Sequence, residues 1–396
     1  MMVLEGIRVL DFSRYIAGPY AGMLMADMGA EVFRVESPGG AEDRTLGPMA
    51  PNGQSLPFSY IIPRNKKSIT LDLRSPKAQE LLARLVALAD VVLENFSPNV
   101  KGELGLSYEK LRAANDKIIL VSISAYGESG PYAPRVGFDT VFQALSGVMS
   151  YTGFPGHPPT RAGIAFVDFS TALSAAWGTT LALYHRQQTG EGQKVELALL
   201  DTAVSLMASM GVAAECQLLG FLRPQIGNTT FYAFGDCFQA RDGWVVLSVL
   251  GNPLFRRFAQ TIGHPQLSQD PRFQDDISRF YHRRDLLPLV QAWIKERTTA
   301  QVEEAMAAAR VPCGRVNTVA ETLADPQVKA RGMLVGVEYE GVGQVPQPGV
   351  HVRLSRTPGR VRTKAPRVGQ HNQEVYGKLL GLTGEEIRGL KKDKVI

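Results

Sequence analysis

The chain has 396 residues, more than a single hydrophobic core usually serves, so two domains are expected. With 44% hydrophobic and 20% charged residues its composition excludes a disordered or fibrous protein. The net charge of +5 is mild, and its excess sits in 351–367, where Arg353, Arg356, Arg360, Arg362, Lys364 and Arg367 meet no acidic residue and no interleaved aromatics; a solvated basic loop is expected there, and nucleic acid is not an expected partner.

From the first residue, MMVLEGIRVLDF lacks the basic, apolar and small-residue blocks of a secretory leader, so a cytoplasmic protein is expected. Short apolar runs predict strands over 8–12, 31–36, 68–73, 91–95 and 118–124, and amphipathic stretches between them predict helices over 20–28, 76–89 and 108–115. Ser75-Pro76 opens the second helix, and Ser107, with Glu109 in the first turn, opens the third. Strands alternating with helices in this way make a parallel sheet covered on both faces.

The stretch 163–199 carries the most information. Ser170 and Thr171 are positioned to cap a long helix of small apolar residues, Gly190 and Gly192 stop it, and a strand follows over 194–199. Asp168 therefore stands at the helix mouth, where free N–H groups and positive potential favour an ionised carboxylate and an oxyanion alike. Local sequence leaves two readings open, a helix cap or a nucleophile.

Further along, 202–222 is apolar but interrupted by Ser205, Ser209, Glu215 and Gln217, which predicts a buried helix and no membrane span. A loop at 223–230 leads to a second α/β unit with a strand over 244–249 and helices over 254–262, 284–296 and 299–309, the last stopped by Val311-Pro312. The tail returns to helix over 372–380 and at Thr383-Gly384-Glu385-Glu386, a capping box. The expected partition is a large domain of 1–222 with 326–396, and a small domain of 223–325. Cys216, Cys237 and Cys313 are far apart and read as buried thiols, and the six histidines show no ligand spacing, so no metal is expected.

Five stretches, in this order, resemble the family III CoA-transferases, the group that includes formyl-CoA transferase and carnitine CoA-transferase. They are LEGIRVLDFSRYIAGPYAGMLMADMGAEVFRVESPGG at 4–40; RNKKSITLDLRSPKAQELL from Arg64, running on to ADVVLENFSPNV at 89–100; SAYGESGPYAPRVGFDTVFQALSGVMSYTG at 124–153; the Asp168 stretch itself; and KAPRVGQHNQEVYGKLLGL at 364–382. The resemblance implies a large Rossmann-like parallel-sheet domain plus a smaller α/β domain, assembled as an interlocked-ring dimer, with pairing to a second related chain also open. It places Ile16, Ala17, Ser37, Leu71, Asp72, Arg74, Asn95, Phe96, Ser97, Arg135, Val136, Phe138 and Asp139 along a CoA channel. Where the family carries a basic residue soon after the Asn-Phe motif this chain has Glu103, and Lys101 or Arg135 is the expected substitute for a phosphate contact.

By the same resemblance Asp168 is the nucleophile. Exchanging one thioester for another is nearly thermoneutral, so activation has to be conserved between half-reactions; an aspartyl anhydride does that and a serine ester does not. Gly227 and Asn228 are the expected N–H donors to the oxyanion, although an interdomain turn explains them equally well. Arg161 and Arg223 are candidates for pairing the second carboxylate of a dicarboxylic acid, with succinyl-CoA the first donor to try. The implied substrates are an acyl-CoA and a carboxylic acid, with no cofactor beyond CoA. The α-methylacyl-CoA racemases share the Asp168 region but add a histidine in a Gly-His-Asp motif. This chain has Gly137-Phe138-Asp139, and Phe carries no transferable proton. A racemase-type isomerase and a CoA-binding subunit of a heteromeric transferase remain the alternatives.

Overall fold

A computed structural model describes residues 1–396. Six strands, β1 (Arg8–Asp11), β2 (Glu31–Glu36), β3 (Lys66–Thr70), β4 (Val91–Glu94), β5 (Ile119–Ser124) and β6 (Lys194–Ala198), form one sheet in the order β3-β2-β1-β4-β5-β6. Every pairing is parallel. The helices are α1 (Ala17–Asp27), α2 (Pro76–Ala87), α3 (Pro98–Glu103), α4 (Tyr108–Ala114), α5 (Asp139–Leu145), α6 (Val148–Tyr151), α7 (Phe166–Thr189), α8 (Leu199–Ser209) and α9 (Val212–Leu219).

The sheet is buried on both faces, which explains the near-continuous apolar runs of its central strands. Alternation within each strand sends Leu10, Phe33, Val92 and Leu120 to one side, against Leu81, Leu82 and Leu85 of α2 and the C-terminal Tyr376 and Val395. Val9, Val32, Val91 and Val121 go to the other, against Ala21 and Met25 of α1 and Ala172 and Ala175 of α7. Small side chains let α1 and α7 lie close to the sheet. The tail docks on the strand edge: the Asn372 amide bonds the Thr70 N–H and hydroxyl at 2.9 and 2.7 Å, and the Tyr376 hydroxyl donates to Thr70 O at 2.7 Å.

The chain divides into two units, Met1–Val148 with Arg161–Phe221 and Gln327–Ile396, and Met149–Thr160 with Leu222–Pro326. The smaller one is built on an antiparallel sheet of Phe234–Gln239, Trp244–Val249 and Cys313–Arg315, with helices Asn252–Thr261, Arg283–Lys295 and Thr299–Ala308 around a core of Phe234, Leu247, Phe258 and Val290. Segment 149–160, expected in the large domain, belongs here; Gly227 N–H donates to Gly153 O at 2.9 Å and Gln225 Nε2 to Thr152 O at 2.9 Å.

Several expectations need correcting. The third strand starts at Lys66 rather than 68, because the Lys66 ammonium is fully buried against Asp11 at 2.8 Å and its charge disguises the strand. Strand Phe234–Gln239 escaped notice because Gly235 and Asp236 weaken its pattern, and the hairpin Leu334–Tyr339 with Gly343–Pro348 because its second strand holds Pro346 and Pro348. Segment 202–222 is not one buried helix: α8 and α9 meet at a 64° bend around Gly211, and Leu218, Leu219 and Leu222 are exposed. No single helix is long and apolar enough to cross a membrane. Cys216 is exposed, and Cys237 and Cys313 are half-buried. The residues predicted as helix over 372–380 form a π-helical segment, Gln373–Leu379, while the capping box of Thr383 and Glu386 opens the last helix as expected.

Candidate active site

Strand order reverses between β1 and β4, and the loops leaving their carboxyl ends separate to leave a crevice, the place where open parallel sheets bind ligands. A cleft of about 180 Å³ lies there. It is lined by Tyr15, Ile16 and Ala17 from the β1–α1 connection, Asn95 to Pro98 after β4, Ile123 to Ala125 at the end of β5, Ala133 and Arg135 to Phe138, Leu199, and Asp168. Of the residues expected along a CoA channel, the structure thus gathers Ile16, Ala17, Asn95, Phe96, Ser97, Arg135, Val136 and Phe138 around Asp168.

The β1–α1 connection is shaped by close packing. Helix α1 starts at Ala17 rather than at Tyr20, so Ala17-Gly18-Pro19 is its first turn, where the missing N–H of proline costs nothing. A Cβ on Gly18 would stand 2.2 Å from Ser13 Cβ, so only glycine allows the helix to start this near the strand. α1 has no side-chain cap, and Ile16 and Ala17 at its start line the cleft. Tyr15 adopts a left-handed backbone at φ 63° and sets its ring edge-on to Phe138, with centroids 5.4 Å apart.

Asn95 ties this loop to the next one. It accepts from Arg14 N–H at 2.7 Å and donates to Arg14 O at 2.7 Å, so its amide latches the two loops together. Beneath it Glu94 is fully buried, accepting from Phe96 N–H at 2.8 Å and from the Ser122 hydroxyl, and burial pushes its carboxyl up to about 7. Lys101, one of the two expected phosphate contacts, is instead buried and bonded to Glu128 and Ser122. Arg135, the other, is exposed in the cleft with its guanidinium 3.8 Å above the Tyr132 ring.

Asp168 occupies the first turn of α7, whose start is Phe166. Ser170 and Thr171 therefore do not cap this helix; they are inside it, and the Thr171 hydroxyl donates to Val167 O at 2.8 Å. The cap comes from elsewhere in the chain. Asp139, buried at 6% exposure, accepts from Val167 N–H at 2.8 Å and from Asp168 N–H at 3.3 Å. Its other oxygen accepts from Gln143 Nε2, and Gln143 Oε1 accepts from Ala162 N–H at 2.9 Å. Asp139 thus stands behind the cleft instead of lining it. The expectation that the helix mouth keeps Asp168 firmly ionised also fails: burial first, and the Asp139 charge second, push the Asp168 carboxyl up to about 7.

Four other expected residues sit on the same sheet edge outside this cleft. The Ser37 hydroxyl donates to Gly40 O at 2.5 Å, Leu71 is packed in the core, Asp72 accepts from Arg74 N–H at 3.2 Å, and Arg74 is exposed. Gly227 and Asn228 belong to the smaller unit, Gly227 in a left-handed turn at φ 66°. Arg161 Nη1 donates to Ala162 O at 3.1 Å, and the Arg223 guanidinium lies 4.9 Å from the Phe231 ring. Sequence reasoning missed Tyr15 and Gln143. The first has no local signal, whereas the second stands four residues after Asp139 on one helical face, a spacing at which such pairs meet.

A parallel sheet with a switch-point cleft, and a half-buried aspartate at a helix start lining it, define an α/β fold with an acidic group at its ligand-binding crevice. The chain belongs to CoA-transferase family III, whose model matches residues 4–372. It is 40% identical over 396 residues to a succinyl-CoA–D-citramalate CoA-transferase of Chloroflexus aurantiacus, covering 99% of this chain and 98% of that protein. A succinate–glutarate CoA-transferase of Agrobacterium fabrum is 34% identical over 387 residues, 95% of each chain. Among solved structures, a CAIB/BAIF family protein from Brucella suis matches with a TM-score of 0.83 at 33% identity, over 96% of this chain and 99% of that one.

Proposed function

We propose that this CoA-transferase takes CoA from succinyl-CoA and passes it to a short dicarboxylic acid through covalent intermediates on Asp168. The observation that carries the reading is the placement of Asp168, half-buried on the first turn of α7 in the cleft at the strand-order reversal. The names of the two relatives, which pair succinate or succinyl-CoA with glutarate or citramalate, support the substrate class.

The first step is attack of an Asp168 oxygen on the thioester carbonyl, with the C–S bond breaking and CoA leaving as thiolate, which gives a succinyl–aspartyl anhydride. The thiolate then attacks the aspartyl carbonyl of that anhydride and expels succinate, leaving CoA as a thioester on Asp168. An incoming carboxylate attacks this carbonyl, expels the thiolate and forms a second anhydride. Attack of the thiolate on the acceptor's carbonyl returns Asp168 as a carboxylate and releases the new acyl-CoA. Desolvation makes the carboxylate a stronger nucleophile and protects the anhydrides from water. The Ile16 and Ala17 amides at the start of α1 serve as donors to the CoA, and Arg135 supplies positive charge at the cleft. The working assembly is a dimer of interlocked rings.

The test is covalent trapping. Succinyl-CoA with hydroxylamine should convert Asp168 to a hydroxamate, read by peptide mass, and Asp168→Ala should abolish exchange while CoA still binds. Exchange that survives Asp168→Ala would refute the reading, and loss of α-deuterium from a 2-methylacyl-CoA without any acceptor acid would favour a racemase-type isomerase instead.

A further inference from the structure

Three features outside the reaction scheme stand out: the buried Glu94–Lys101–Glu128 cluster under the cleft, the exposed basic run at 351–367, and the Asp139–Gln143 pair behind Asp168. The third reaches the reacting group directly. Asp139 spends one carboxylate oxygen on the second and third amides of α7, at 2.8 Å to Val167 and 3.3 Å to Asp168. It lies 29 positions before Asp168 in the chain, so it is a cap supplied across the fold, where Ala165 at the helix boundary offers no side-chain bond. Gln143, wholly buried, holds the other oxygen and bonds Ala162 N–H with its own carbonyl, so both the cap and the approach to α7 are fixed by one amide.

We propose that Asp139, oriented by Gln143, is a positioning residue for the nucleophile: it fixes the first turn of α7 and sets a second negative charge beside Asp168. The inference rests on Asp168 being the acylated residue. Two carboxylates this close, in a half-buried site, disfavour double ionisation, which matches the upward displacement of Asp168. The charged groups on the elements packed against α7 are exposed or engaged elsewhere, and the cleft itself holds one cation, which lies over Tyr132. Helix α1 presents Tyr20, which meets Phe169 edge-on with centroids 4.9 Å apart; Asp201 of α8 is exposed; Lys194 and Glu196 of β6 are engaged with Glu128; and Arg135 is the one cation lining the cleft.

The arrangement does two jobs that substitution separates. Asp139→Asn keeps an oxygen to accept from the helix amides and removes the charge, at the cost of the bond from Gln143 Nε2, whereas Asp139→Ala removes all three. The readout is the rate of hydroxamate formation on Asp168 with succinyl-CoA at pH 6 and pH 8, with the thermal midpoint and CoA binding of each variant measured alongside. Removing the neighbouring charge lets Asp168 ionise at lower pH, so Asp139→Asn should raise the pH 6 to pH 8 rate ratio, by about five-fold for a first unit of downward movement from about 7. Asp139→Ala should lower the pH 8 rate further than Asp139→Asn does. Gln143→Leu should lower the rate at both pH values while CoA still binds. An unchanged rate ratio in Asp139→Asn, or equal losses in the Asn and Ala variants at every pH, overturns the proposal and leaves Asp168 as nucleophile untouched. Wild-type protein that carries no hydroxamate on Asp168 overturns both.

Discussion

Asp168 serves as nucleophile only in its ionised form, yet its surroundings resist ionisation: burial, then the Asp139 charge, lift the carboxyl to about 7. The acid limb of kcat/KM for the acyl-CoA half-reaction should therefore fall near pH 7, well above the ordinary carboxylate range, and a rate profile over pH 5 to 9 would read it directly. A limb near pH 4 would mean that neither burial nor Asp139 acts on the reacting group. The same displacement bears on stability. A carboxyl whose folded pKa is raised binds more protons folded than unfolded, so the fold gains stability as pH falls through about 7 and carries the cost above it. At this scale the sequence was informative about place and wrong about state. The run around Asp168 marked a helix mouth, but the residue that caps it, Asp139, is remote in the chain, and local patterning pointed to Ser170 and Thr171 instead. Lys101 likewise reads as a surface cation and is a buried partner of Glu128, because a charged side chain looks the same in sequence whether or not a carboxylate waits for it.

The elements that place the cleft depend on close approach more than on hydrogen-bond caps. Strands such as β4 and β5 were legible because burial on both faces favours near-continuous apolar runs. Helix starts were less so, since α1 begins on Ala17 without a capping side chain, and its true marker is steric. Gly18 faces Ser13, and a Cβ there would overlap Ser13 Cβ at 2.2 Å and Oγ at 2.4 Å, with Asn95 Cγ next at 3.7 Å. Gly18→Ala should push the first turn of α1 away from the strand and disturb the Asn95 latch. Overpacking of this kind costs about 1–3 kcal/mol, and the loss should appear both in denaturant unfolding and as a raised KM for the acyl-CoA. Wild-type stability and KM in that variant would show that the first turn of α1 tolerates displacement and is not what holds CoA.

For the molecule as a whole, the long helix α7 poses the sharpest question. One side is buried through Ala172, Ala175, Thr179 and Ala182; the other presents Leu173, Trp177, Leu181 and Tyr184, with Trp177 at 67% exposure. α9 adds Leu218 and Leu219 to the exposed apolar surface of the same unit. A helix that is apolar on two sides suits an interior, and exposed apolar side chains of this number on one unit are the kind of surface that a second chain would cover. The sequence pattern predicted a buried helix over 202–222 and gave no sign that one side of α7 and the end of α9 are exposed. Native mass measurement should accordingly give twice the 43.2 kDa chain mass, and Trp177→Glu should shift the species toward single chains or aggregates, because a charge on a covered face has no partner. A single-chain mass at micromolar concentration, with full exchange activity, would refute the dimer; a stable assembly formed only when a second, related chain is supplied would replace it with a heteromer and leave the covered face in place. Since interlocked rings cannot part without unfolding, a dimer of that kind should also hold its subunits without exchange on mixing with labelled protein, whereas a dimer joined by the α7 face alone would trade them.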